Sequence, residues 1–180
     1  MIRSIQKRLR LFRRSEDGSA ILIEFCIFVP LLFGAFLMSV EMGIYSMRQM
    51  YLDRGLDIAV RHVRLTTNVD HKHDDIKDLI CLNVGWLENC SETLRLEMVT
   101  VDPRAFAQFN QSADCVDVSA DPHPPRGFNL GQENQMMMLR ACVRFDPIFP
   151  TTGLGKEMIE GEDSRQAKMI STAAFVQEPG

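Results

Sequence analysis

Residues 18–45, GSAILIEFCIFVPLLFGAFLMSVEMGIY, restrict this chain more than any other stretch. The run is nearly all apolar and carries two glutamates, Glu24 and Glu41, with sixteen uncharged residues, Phe25 to Val40, between the two flanking segments they mark. A helix needs about 20 apolar residues to cross a bilayer, and Ser19 to Val40 supplies 22. A cleaved secretory signal has a shorter apolar core of about 7–15 residues and a small-x-small site after it. This run is longer and lacks that site, so it reads as a retained anchor. Pro30 lies inside the run. It removes one backbone hydrogen bond and is expected to bend the helix, which membrane helices tolerate.

The charges on either side orient such an anchor. Residues 1–14 contain Arg3, Lys7, Arg8, Arg10, Arg13 and Arg14 and no acid. The rest of the chain holds 14 of the 20 basic groups and all 24 acidic ones, a net of −10. By the positive-inside rule the basic tip stays in the cytoplasm and the acidic body is translocated. An acidic body lacks the basic surface that phosphate binding needs, so no nucleic-acid partner is expected. The tip itself reads either as a short amphipathic helix on anionic lipid, with Ile2, Ile5, Leu9 and Phe12 at helical spacing, or as a plain charge signal. Ser15 fits a helix N-cap followed by acids in the first turn, with Gly18 the weak point.

The two glutamates differ in setting. Glu24 lies within the apolar helix, where an unpaired ionisable group costs roughly 2–3 kcal/mol or more. It reads either as a residue snorkelling to the interface or as a group awaiting a cation. Glu41 falls near the outer interface and reads as interfacial. Small residues at Gly34, Ala35 and Ser39 permit close helix approach in lipid.

Helical periodicity continues past Tyr45 through Leu52, Leu56, Ala59, Val60 and Val63, with charged residues on the other faces and Gly55 as the one breaker. One helix over residues 19–65 would extend about 70 Å. Beyond it, His71–Leu87 has a helical apolar face. Thr93–Val101, Met136–Phe145 and Lys168–Val176 alternate as strands do. On the middle strand Met137, Leu139, Ala141, Val143 and Phe145 share a face, so the Met136–Met138 run reads as strand and core. Pro103–Phe109 fits a short helix, while Asn110–Gly131 and Thr151–Asp163 read as loops. The expected fold is α+β: a long N-terminal membrane-spanning helix continuing into a small extracytoplasmic domain with about three strands. The expected organisation is a basic cytoplasmic leader over 1–18, a transmembrane helix over 19–45, an amphipathic extension over 46–66 and the α+β domain over 67–180.

Of five cysteines, Cys26 lies in the apolar run and reads as packing. Cys81, Cys90, Cys115 and Cys142 lie in the translocated part, where an even count suggests disulfides. Three pairings are possible. Cys81–Cys90 with Cys115–Cys142 is favoured because the first pair closes a short local loop. None of the spacings forms a C-x2–4-C knuckle, which disfavours structural zinc. His71, His73, Asp74 and Asp75 offer metal-ligand chemistry, but no third ligand is fixed, and a charged helix start is the plainer reading. There is no G-x-S-x-G, P-loop or H-E-x-x-H motif. No catalytic residue, metal or cofactor is expected, and the protein reads as non-enzymatic. Asn89-Cys90-Ser91 and Asn110-Gln111-Ser112 match the short glycosylation pattern.

Arg13 to Gly43 resembles the TadE-like pseudopilin family of the bacterial tight-adherence (Flp-type) pilus. The resemblance lies in the basic leader, Gly18-Ser19-Ala20, Glu24-Phe25, the apolar helix with Pro30, and the second acid Glu41. The helical extension from Arg54 to Arg64 is similar as well, and more loosely Phe145-Asp146-Pro147 and the closing 174–179. The resemblance implies a pilus-assembly component of the inner membrane with its C-terminal domain in the periplasm. It further implies a prepilin peptidase that cuts the leader after a small residue, and a glutamate at the fifth mature position that meets a freed N-terminal amine. Its implied partners are membrane lipid, the peptidase, the major Flp pilin, a second pseudopilin and the assembly platform. Five residues separate Gly18 from Glu24, one more than in the family. Cleavage after Gly18 puts Glu24 sixth, and cleavage after Ser19 restores the fifth place. From a different class, a single-pass anchored binding or sensor domain unrelated to pili fits the same anchor.

Overall fold

The computed structural model describes residues 17–66, 69–87, 89–104, 113, 115, 127–159 and 166–179. The basic tip, Ser15, the 105–109 part of the expected short helix and the sequon at Asn110 lie outside the described residues, as does most of the 110–131 loop. Elements run in the order α1 (Asp17–Leu65), α2 (His73–Val84), α3 (Cys90–Thr93), β1 (Arg95–Thr100), β2 (Met136–Phe145), α4 (Gly153–Met158) and β3 (Ala167–Val176). The fold is therefore α+β, with one helix among the described residues long and apolar enough to cross a membrane. The chain divides into two compact units, 1–40 and 41–180.

In the first unit the described residues are all helix, through Pro30. Its large apolar side chains stand exposed: Ile21, Phe25, Leu31, Phe33 and Phe36 each show more than half of their surface. A core helix of a soluble domain buries such residues, whereas this one offers them all round.

In the second unit α1 becomes a core helix. Leu52, Leu56, Ala59, Val60 and Val63 are buried, at the three- and four-residue spacing of one helical face. They join Ile76, Ile80 and Val84 of α2 and the inner faces of the strands in one apolar cluster. Gly55 is explained by this packing and does not break the helix. A methyl there would lie 2.9 Å from Val84 Cγ2 and 3.3 Å from the Ile80 carbonyl oxygen, so glycine lets α2 cross α1 closely.

The sheet is antiparallel in the order β1-β2-β3, with Met98 opposite Leu139 and Leu139 opposite Ala173. The expected inner face of β2, Met137 to Phe145, is buried as the alternation requires. The second half of α1 runs along β3. Gln49 Nε2 donates to the Ile170 carbonyl at 3.1 Å, Ser171 Oγ donates to Asp53, and Gln177 Nε2 donates to the Val63 carbonyl at 3.0 Å.

Two local features differ from expectation. Gly153–Met158 forms helix α4 where a loop was expected; Thr152 caps it, its hydroxyl accepting from Gly155 N at 3.4 Å. Phe128, in the expected loop, makes a parallel bridge to Met98 at the free side of β1. A feature on which the sequence carried no expectation is the outer face of the sheet, where Arg140 and Cys142 are buried, beside Glu97. Arg140 Nε donates to Glu97 Oε2 at 2.6 Å and its terminal nitrogen bonds the same oxygen.

Candidate functional site

The sequence singled out Gly18, Ser19 and Glu24 in the first unit. Gly18 and Ser19 lie in the first turn of α1, which begins at Asp17. Glu24 is exposed on the apolar helix, and among the described residues nothing pairs with its carboxylate. Cys26 is free and exposed two positions on, so it does not pack as expected within the chain itself. Gly34 has open space where a side chain would stand, and Ser39 Oγ turns inward to the Ala35 carbonyl at 2.8 Å. This leaves a smooth apolar helix surface bearing one carboxylate.

The four remaining cysteines form two disulfides, Cys81–Cys90 and Cys115–Cys142, which is the pairing favoured by the short local loop. The first ties α2 to α3; the second ties position 115 to the outer face of β2. Both close loops in the chain and so limit the freedom of the unfolded state.

Glu41 opens the second unit and is the residue that sequence reasoning placed wrongly. It is not an interfacial side chain reaching for water: only 1 % of its surface is accessible. Its carboxylate accepts the backbone N–H of Ile148 at 3.1 Å and of Phe149 at 2.9 Å. These donors belong to the turn after β2, which is itself well tied. Phe149 O accepts from Thr152 N at 3.1 Å and Thr152 Oγ1 at 2.8 Å, and Arg48 Nη1 donates to the Asp146 carbonyl at 3.3 Å. Gly155 has no room for a side chain because the Phe149 carbonyl lies against its Cα. A carboxylate that accepts two backbone N–H groups satisfies donors that burial would otherwise leave unpaired.

Beyond this clasp, Arg48 lies 5.1 Å above the rings of both Trp86 and Phe145, close enough for cation–π attraction. These residues, with Arg144, Asn89 and Glu92, line a cleft of about 450 Å³. The Trp86 indole N–H is buried there without a hydrogen-bond partner among the described residues.

The two histidines considered as metal ligands are set on different partners. His71 is buried, with Nε2 2.5 Å from Thr66 Oγ1 and its ring against His62. His73 Nδ1 lies 3.0 Å from Asp74, and this hydrogen bond, reinforced by charge, holds the Asp74 carboxyl below its usual range. Burial lowers the nearby Lys77 ammonium, opposed by the charge of Asp74. Among the described residues no group of three His, Cys, Asp or Glu side chains is placed to hold a metal.

No family model, no curated protein and no solved structure matches this chain.

Proposed function

We propose that this protein is a minor pseudopilin-like component that acts in assembly of tight-adherence (Flp-type) pili, without enzymatic activity. It is anchored in the bacterial inner membrane by the apolar part of α1, with the leader in the cytoplasm and the disulfide-bonded sheet domain in the periplasm. The observation that carries this reading is Glu24: an exposed carboxylate without a partner among the described residues, on a helix surface otherwise fit for lipid, directly behind a basic leader. A carboxylate in lipid needs a cation. Cutting the leader creates one, an ammonium at the new helix start, on the same subunit or a neighbour. The continuation of α1 into the core of the sheet domain fits an assembly subunit, because one helix carries both the lipid-facing run and a face of the domain core. The partners are then lipid, the prepilin peptidase, the major pilin, a second pseudopilin and the assembly platform.

N-terminal sequencing of protein purified from membranes tests this. The expected new terminus is Ser19 or Ala20, and the Ser19 start is favoured because glycine then precedes the cut. The shortening disappears in cells without the peptidase. An intact Met1 in peptidase-positive cells contradicts the reading. The second reading, an anchored binding domain without a link to pili, is favoured by the Arg48–Trp86 cleft and predicts that the leader is retained.

A further inference from the structure

We propose that the turn over residues 147–150 is a second lipid contact, resting in the headgroup boundary of the bilayer that α1 crosses, with Ile148 set into it. The inference rests on the reading that α1 spans a membrane, and goes beyond it by giving the sheet domain its own contact with the bilayer surface.

Glu41 directly follows Val40, the last residue of the uncharged run. Its carboxylate holds the backbone of Ile148 and Phe149, which fixes this turn at the level of residue 41 along the helix. The turn is Pro147-Ile148-Phe149-Pro150, an apolar sequence where a water-facing turn favours Gly, Asn, Asp or Ser. Ile148 is 45 % exposed and Pro150 is exposed, and Met42, the residue after Glu41 in α1, is 50 % exposed. Non-helical backbone near hydrocarbon must have its polar groups satisfied within the protein. Here every donor is accounted for. Pro147 and Pro150 have no N–H, and those of Ile148 and Phe149 both go to Glu41. The Phe149 carbonyl accepts from Thr152 and the Asp146 carbonyl from Arg48. Arg48 itself lies seven residues past Glu41, about 10 Å along the helix, which is the depth of lipid headgroups outside a hydrocarbon edge at residue 40. A surface turn with apolar side chains and no free donor suits a lipid boundary better than water or a polar partner.

The test uses the full chain in nanodiscs of phosphatidylcholine and phosphatidylglycerol, with Trp86→Phe removing the single native tryptophan. Ile148→Trp, Phe36→Trp and Leu82→Trp are compared, with bromine placed on the acyl chains either near the glycerol or near the chain end. Ile148→Trp is expected to lose emission to bromines near the glycerol and to be spared by bromines at the chain end. Phe36→Trp is expected to be quenched from within the hydrocarbon, and Leu82→Trp, on the 82 % exposed Leu82 of α2, to be unaffected. If Ile148→Trp behaves like Leu82→Trp while Phe36→Trp is quenched, the lipid contact is refuted and the span stands. Blue-shifted but unquenched emission from Ile148→Trp means that protein covers the turn, and refutes the proposal equally. If Phe36→Trp is not quenched, the span itself fails and this inference fails with it.

Discussion

Glu41→Ala is expected to lower the stability of the 41–180 unit by about 2–6 kcal/mol, the sum of two backbone N–H groups left without an acceptor at roughly 1–3 kcal/mol each. The loss is large because the site cannot relax into water. Glu41 is buried, the turn is closed by Thr152, and Gly155 lies against the Phe149 carbonyl. Glu41→Gln keeps one carbonyl acceptor but turns its amide nitrogen toward the second N–H, so about half of the loss is expected. Thermal unfolding of the full chain in detergent checks both, with a fall in Tm on the order of 10 °C for alanine. Hydrogen exchange should localise the first opening to the amides of Ile148 and Phe149. An alanine variant as stable as the parent would mean that the clasp contributes nothing.

The second large effect is expected at the outer face of the sheet. Arg140→Ala leaves the buried Glu97 carboxylate without its main cation and should cost about 3–5 kcal/mol. The pair as a whole is a different matter, since desolvating two charges offsets most of their attraction. The double variant Arg140→Met with Glu97→Leu is therefore expected to lie within about 1 kcal/mol of the parent, or above it. Denaturant unfolding of the single and double variants measures this contrast. Equal losses in both would show that Arg140 acts through packing alone.

These two residues also mark where the sequence stops being readable. The strands were legible because period-two alternation is a property of neighbours. Met137 to Phe145 gave β2 over Met136–Phe145, and Lys168–Val176 missed β3 by one residue. β1 was expected to start at Thr93, but Thr93 closes α3, whose one turn is too short to leave a periodic signal. The long helix was legible through Gly55 because its apolar spacing resumes on the far side of the glycine. Why a glycine stands there became visible only with Val84 and Ile80 against it. Glu41 was misplaced because its partners are backbone N–H groups more than a hundred residues away, and backbone donors have no sequence signature. Arg140 and Glu97 fell on the polar side of an alternating strand, which by itself reads as solvated. Helix α4 was hidden by the glycines around it; the capping Thr152 was the one local signal that could have found it.

The proposed function requires α1 to cross a membrane once, with the basic tip and the sheet domain on opposite sides. Site-directed labelling with a membrane-impermeant maleimide tests this directly, in spheroplasts from cells without the prepilin peptidase, where the leader is kept, and in a Cys26→Ser background carrying Ser4→Cys or Leu82→Cys. The predicted result is labelling of Leu82→Cys in intact spheroplasts, and of Ser4→Cys only after permeabilisation. Labelling of both positions in intact spheroplasts, or of Ser4→Cys alone, would contradict it.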